Sequence, residues 1–290
     1  YANKIQKISN VCFTYLKKLN EHKTDFFQQA ASIDNDEFQQ FYRLSREQGF
    51  FSNMYIEKLQ HPMTEMLEDI LDDNIESMNL QVTQNCNLRC DYCPYTGNYY
   101  NNRKHANKRM DFELAKKGIQ FLYHHSSNCD VINVSFYGGE PLLEFDLIKK
   151  CTQYTKEIFG SRKVIFSLTT NAVLLSDEIM RFFCENNVLL TISLDGPENI
   201  HDKSRVFADG KGSFAAVYRN LCQFKQQYTE YFNQNVMFNT VCAQDLGVMD
   251  VDHFFSNDPL FEKCEVITTF YSTNYIRNEP QYKNDMDQFI

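Results

Sequence analysis

Three cysteines fall within eight residues, in the run Cys86-Asn87-Leu88-Arg89-Cys90-Asp91-Tyr92-Cys93. Three thiolates at C-x3-C-x2-C spacing can converge on one centre, and an odd number cannot all pair as disulfides. A closed zinc site takes four ligands, and no fourth Cys or His adjoins the run to complete one locally. Thiolates also hold iron–sulfur clusters, usually four to a 4Fe–4S cluster, so three alone would leave one iron open to another ligand. The remaining seven, Cys12, Cys129, Cys151, Cys184, Cys222, Cys242 and Cys264, are scattered at gaps of 20 or more. Settings such as Val11-Cys12-Phe13 suit buried free thiols. A disulfide framework belongs to small secreted chains, and this one is neither small nor visibly secreted.

Further motifs carry chemistry downstream. Phe136-Tyr137-Gly138-Gly139-Glu140-Pro141 holds the only Gly-Gly pair among ten glycines. Paired glycines let a backbone approach a ligand with no Cβ in the way. Thr169-Thr170-Asn171-Ala172 and Ile192-Ser193-Leu194-Asp195-Gly196-Pro197 follow, then His201-Asp202 and Arg205. Gly210-Lys211-Gly212-Ser213 lacks the leading spacing of a phosphate-binding Walker loop, and no Gly-x-Ser-x-Gly elbow is present. His124 and His125 are adjacent, so they cannot share a helix face as metal ligands; they read as surface residues near a helix end.

The elements that must position these residues alternate. Apolar, β-branched segments occupy Leu80–Thr83, Val131–Tyr137, Val164–Thr169, Leu189–Leu194, Val236–Val241 and Val266–Phe270, and helical periodicity occupies Asp111–His124, Leu142–Phe159, Asp177–Asn186 and Phe214–Tyr231. Six strands alternating with helices predict right-handed crossovers and a parallel sheet, open or barrel-like. In such sheets ligands bind at the carboxyl ends of the strands. The first cysteine follows the first strand, Gly138-Gly139-Glu140 the second, Thr170-Asn171 the third and Asp195-Gly196 the fourth, so the motifs converge on one face. Residues 1–77 read as a helical N-terminal region: Ile5, Ile8, Cys12, Tyr15, Leu16 and Leu19 recur at helical spacing, a second helix covers Asp36–Gln48 and stops at Gly49, and Met63–Leu71 is amphipathic.

The 290 residues carry 29 Lys+Arg against 38 Asp+Glu, a formal charge of −9. That balance argues against a dedicated nucleic-acid binder. One local basic cluster, Arg103, Lys104, His105, Lys108 and Arg109, reads as a solvated loop and helix start. No apolar run reaches the ~20 residues of a membrane span, and no signal peptide is visible, so a cytoplasmic protein without a membrane partner is expected. The chain begins at Tyr1 rather than Met, and part of its natural N-terminus is expected to lie upstream.

The cysteine run resembles the signature of the radical S-adenosylmethionine (radical SAM) superfamily. The wording Gln81-Val82-Thr83-Gln84-Asn85-Cys86-Asn87-Leu88-Arg89-Cys90 resembles the peptide-modifying branch that includes anaerobic sulfatase maturases and radical SAM peptide maturases. The likeness covers about residues 78–272 and rests on all four motifs. It implies an α/β fold, a partial (β/α)6 TIM-like barrel over residues 78–290. It also implies that Cys86, Cys90 and Cys93 ligate a 4Fe–4S cluster whose fourth iron is chelated by SAM. By the same likeness Gly138, Gly139 and Glu140 bind the SAM amino group. Ser193 and Arg205, twelve residues further on, contact SAM, with Arg205 suited to its carboxylate. Tyr92 takes the aromatic position whose backbone meets the adenine; its side chain reads equally well as a core aromatic. Asn171 takes a site role, although Ala172 replaces the usual final glycine and makes a positive φ there unexpected.

The resemblance further implies cleavage of SAM to methionine and a 5′-deoxyadenosyl radical, with an external electron donor and a peptide or protein substrate. Maturation of a ribosomally made peptide, with thioether cross-linking as the first choice of bond, is the leading expectation. Formylglycine formation in a sulfatase is the alternative enzyme reading, and a metal-binding module without SAM the non-enzymatic one. No residue is assigned a catalytic role. Relatives in this branch continue into a cysteine-rich extension; whether one follows Ile290 stays open. The segment Phe41–Phe50 looks faintly like the end of a leader-peptide recognition domain, against a plain helical cap.

Overall fold

A computed structural model of the chain describes residues 7–21, 26–48, 50, 61–97, 102–243 and 247–271. The chain divides into two compact units, residues 1–64 and 65–290. In the first, helices α1 (Asn10–Glu21), α2 (Phe26–Ala31) and α3 (Asp36–Glu47) bury Cys12, Leu19, Ala30, Phe38 and Tyr42 together. Asn35 starts α3 by accepting a hydrogen bond from the Phe38 amide at 2.9 Å, which satisfies one of the orphan amides of the first turn. Ile5 and Gly49 lie outside the described residues.

The second unit opens with α4 (Leu67–Asp73) and builds a six-stranded sheet: β1 Ser77–Thr83, β2 Val131–Gly138, β3 Lys163–Thr170, β4 Leu189–Ser193, β5 Val236–Ala243 and β6 Glu265–Tyr271. The order is β1-β2-β3-β4-β5-β6, each pair parallel, with β1 and β6 as open edges. This is the expected α/β architecture, a barrel that does not close. The crossovers run through α5 (Phe112–His124), α6 (Phe145–Phe159), α7 (Asp177–Glu185), α8 (Glu198–Ser204), α9 (Phe214–Gln227), α10 (Thr229–Asn235) and α11 (Val248–Asn257). Val82, Ile132, Val134, Phe136, Phe166, Leu168, Leu190, Ile192 and Phe238 are buried along the strands. Burial of each such side chain stabilises the fold by roughly 1.5–3 kcal/mol. Among the described residues no helix is long and apolar enough to cross a membrane.

Three differences from the sequence reading have local causes. The helix expected over Phe214–Tyr231 breaks at Tyr228, whose φ of −136° is not helical. The break lets the Tyr231 hydroxyl donate to the Val188 carbonyl and seats Phe232 against Phe224. The short helix α8 follows Pro197 at its N-cap and buries Ile200 and His201 within a polar sequence, so its periodicity is faint. Ala172 has φ +60° despite its Cβ, contrary to the expectation for alanine. Hydrogen bonds hold it there: its amide donates to Thr170 Oγ1 at 3.0 Å, and its carbonyl accepts from Asn220 Nδ2 at 3.0 Å.

Candidate functional site

The carboxyl ends of β1 to β5 surround a cavity of about 340 Å³. Cys86, Cys90, Tyr92, Cys93, Gly138, Gly139, Glu140, Asn171, Ser193 and Arg205 all line it. Every sequence-predicted site residue is therefore gathered in one place, within the 300–1,000 Å³ range of ligand pockets. All ten cysteines are free.

The cysteine loop is held by backbone from three directions. At β1, the Gln84 amide donates to the Lys108 carbonyl at 2.9 Å, and the Met110 amide to Val82 at 2.9 Å. From the end of β2, the Gly139 amide donates to Thr83 O at 3.0 Å and the Glu140 amide to Asn85 O at 2.9 Å. From the last residue of α8 and just beyond it, Ser204 O accepts from the Asp91 amide at 3.3 Å and Val206 O from the Arg89 amide at 2.7 Å. The Gly138–Gly139 pair has a different use from the one expected of it. A Cβ on Gly139 would lie 2.1 Å from Asn85 O, so the missing side chain lets one backbone seat against another, not only against a ligand.

Burial pushes the Cys86 thiol up to about 12 and Cys90 to about 11, and raises Cys93 as well. Buried thiols become thiolates when a cation or metal compensates the charge. Among the described residues no three of His, Cys, Asp and Glu stand close enough to hold a single metal ion. A lone zinc would need every donor near 2.3 Å, whereas the thiolates of a cluster each bind a separate iron. Three cysteines lining one cavity, with His105 Nε2 3.9 Å from the Cys93 sulfur, fit the second arrangement.

Glu140 is 1% exposed and sits at the seam of two strand ends. Its Oε1 accepts from the Leu142 amide at 3.1 Å and Thr170 Oγ1 at 2.7 Å, and its Oε2 from the Asn171 amide at 2.8 Å. A carboxylate has about four acceptor positions, so one remains on Oε2. Burial nevertheless raises its pKa to about 7. A cationic ligand in the cavity would keep it ionised. Asn171 also reaches the cysteine loop, donating from Nδ2 to Asn87 Oδ1 at 2.8 Å and lying 3.9 Å from Cys86 Sγ.

Arg205 is not waiting unpaired for a ligand. Its Nε donates to Asp195 Oδ2 at 2.9 Å, and the Tyr92 hydroxyl donates to the same oxygen at 2.5 Å. The Val241 amide donates to Asp195 Oδ1 at 3.0 Å. Burial alone would lower the arginine's pKa, but the Asp195 carboxylate outweighs it and holds the guanidinium cationic. The Asp195 amide donates to His201 Nδ1 at 3.3 Å, which leaves the proton on Nε2 to meet Ser213 Oγ at 3.0 Å. Ser213 in turn donates to Arg205 O at 2.7 Å. Burial, then the nearby Arg205 charge, lowers His201 to about 4, so the ring is neutral. Asp195 and His201 stood inside the fourth motif, but only their burial reveals that they anchor Arg205.

A model of the Radical SAM superfamily matches residues 80–245. The chain is 33% identical over 153 residues to a cysteine-type anaerobic sulfatase-maturating enzyme of Clostridium novyi, covering 51% of this chain and 40% of that one. It is 26% identical over 269 residues to the radical SAM cyclopropyl synthase TigE of Paramaledivibacter caminithermalis, covering 88% and 53%. The chain thus spans about half the length of these relatives or less. The solved structure described as native anSMEcpe with bound AdoMet superposes with a TM-score of 0.57 at 23% identity, over 74% of this chain and 60% of that one. The same enzyme with AdoMet and a Cp18Cys peptide bound gives 0.57 at 21% identity, over 74% and 59%. At those identities the likeness is one of fold.

Proposed function

The chain belongs to the radical SAM superfamily, and from that premise we propose that it binds a 4Fe–4S cluster and SAM to modify a peptide or protein by radical chemistry. One observation carries the reading: the three cysteines share a cavity with Gly138, Gly139, Glu140, Asn171, Ser193 and Arg205 at the carboxyl edge of a parallel sheet. Cys86, Cys90 and Cys93 are the iron ligands in this proposal. The free acceptor position of Glu140 takes the SAM ammonium, and Arg205, fixed by Asp195, faces its carboxylate. Ser193 and the backbone at Tyr92 complete the cradle. When bound, the cluster and SAM, with an external electron donor, supply a 5′-deoxyadenosyl radical able to take hydrogen from a substrate carbon.

A peptide substrate is supported by the relatives, which include sulfatase-maturating enzymes and a solved neighbour with a peptide bound. The open sheet edges leave an entrance that a closed barrel lacks. Residues 1–77 are proposed to hold a leader segment, which would raise the local concentration of the reacting peptide. Thioether cross-linking is the first choice of bond. Formylglycine formation is the second reading, favoured by the identity to a cysteine-type maturase.

Anaerobic reconstitution of the chain tests the site: about four irons and four sulfides are expected, and a triple Cys86/Cys90/Cys93→Ala variant should bind none. Full iron content in that variant would sink the assignment. Mass analysis of a Cys-rich precursor after turnover then separates the bonds, since cross-linking removes two hydrogens per site, whereas formylglycine formation replaces the thiol with a carbonyl oxygen.

A further inference from the structure

The basic cluster after the cysteine loop is only partly solvated. Lys104, Lys108 and Arg109 are exposed, but both terminal nitrogens of Arg103 and Nδ1 of His105 are buried without a hydrogen-bond partner. Among the described residues Arg103 has no ion pair. Its guanidinium stacks on the Tyr95 ring at 3.7 Å. Tyr95 belongs to the turn that leaves Cys93, closed by the Thr96 amide on Cys93 O at 3.1 Å, and its own carbonyl accepts from the His105 amide at 2.8 Å. That pairing brings His105 Nε2 to 3.9 Å from Cys93 Sγ.

A buried, unpaired cation is costly unless a negative group compensates it. Arg103 does not line the cavity; it stacks on Tyr95, two residues beyond Cys93, so its charge lies beside the ligand turn. With Nδ1 of His105 orphaned, the proton belongs on Nε2, where a thiolate can accept it.

We propose that His105, through an Nε2–H···Sγ bond, and Arg103, through the charge it holds against Tyr95, raise the reduction potential of the cluster held by Cys86, Cys90 and Cys93. Both act through Cys93, as positioning and electrostatic residues. Hydrogen bonds to sulfur and net charge are among the terms that set such potentials. The inference rests on the cluster assignment above. It deepens that assignment by naming what makes the cluster easier to reduce.

The test is a redox titration of the reconstituted full chain, without SAM, followed by electron paramagnetic resonance. Wild-type iron and sulfide content is measured first; a wild type that takes up no iron defeats the ligand assignment and not this inference. His105→Phe and Arg103→Met should each make reduction about tenfold less favourable, or about 59 mV more negative for one electron. His105→Gln, which keeps a donor, and Arg103→Lys, which keeps the charge, should return the potential to near the wild-type value. A reduction equilibrium within threefold of wild type, about 28 mV for one electron, in both disruptive variants would overturn the proposal. So would equal shifts in Arg103→Lys and Arg103→Met, or a cluster lost from both His105→Phe and Arg103→Met, since either pattern marks a structural role.

Discussion

Gly139→Ala is expected to damage the site without touching any side chain in it. The added Cβ would lie 2.1 Å from Asn85 O, 2.5 Å from Asn85 C and 3.0 Å from Cys86 N, all backbone atoms with no rotamer to move. One chain must shift by about an ångström, a form of overpacking that typically costs ~1–3 kcal/mol. The seam also carries the Gly139–Thr83 and Glu140–Asn85 hydrogen bonds, at 3.0 and 2.9 Å. Each is worth ~0.5–1.5 kcal/mol net. Alanine recovers ~0.4–1 kcal/mol by narrowing the unfolded ensemble. The balance is a loss of roughly 1–5 kcal/mol, which at ~2–4 °C per kcal/mol for a chain of this size lowers the melting temperature by several degrees or more. Gly118→Ala is the control: its Cβ meets the flexible Met78 Sδ at 3.2 Å within helix α5, where alanine gains up to ~1 kcal/mol of helix propensity. Thermal melts and urea unfolding, paired with anaerobic iron uptake, read both effects. Gly139→Ala as stable as wild type to within 0.5 kcal/mol, with iron uptake unchanged, would refute the seam argument.

Other outcomes follow from the same geometry. Asp195→Asn should leave the Arg205 cation uncompensated and cost ~3–5 kcal/mol of stability in urea unfolding, as for other broken buried pairs; a loss below ~1 kcal/mol would contradict it. Ala172→Gly should be near neutral, because relief of ~1 kcal/mol of left-handed strain is offset by glycine's unfolded-state entropy and a lost buried methyl; a melting loss worth more than ~2 kcal/mol would show that the methyl dominates. His201, lowered from 6.5 to about 4, makes a contribution to stability that is complete above pH 6.5 and lost as pH falls toward 4, whereas Glu140, raised from 4.5 to about 7, makes one that is complete below pH 4.5 and lost as pH rises toward 7. Glu140→Gln should therefore steepen the loss of stability on acidification between pH 6.5 and 4.5, and His201→Asn should reverse its slope; identical urea profiles for both variants would contradict the assignment.

Strands and motif positions were legible because β-branched runs and turn residues act locally. Val131–Tyr137 needs no distant partner to read as a strand, and Cys86 announces itself by spacing. The interior of the site was less legible because its residues answer to groups far away in sequence. Ala172 adopts a positive φ because Asn220, from α9, captures its carbonyl. Arg205 reads as a SAM contact, and nothing in its own segment reveals that Asp195 and Tyr92 hold it. Arg103 and His105 read as a solvated basic loop, since nothing in their own segment reveals that the Cys93 turn covers them. Composition reports which groups are present; only tertiary packing decides which of them water can reach.

The cysteine motif is local in sequence, yet its placement is not. Eight residues hold all three thiols, but the loop they occupy takes backbone hydrogen bonds from the end of β2 and from the segment after α8, more than a hundred residues downstream. Leu88 and Phe207 form an antiparallel bridge across that join. The segment that straps the loop is the one that carries Arg205, and Asp195 ties Arg205 back to Tyr92 between the second and third cysteines. Arg205 and the loop that positions the thiols are therefore joined through Asp195 and Tyr92. Asp195 and His201, which do not line the cavity, are buried at that join: Asp195 accepts from Arg205, Tyr92 and the Val241 amide, and His201 accepts from the Asp195 amide.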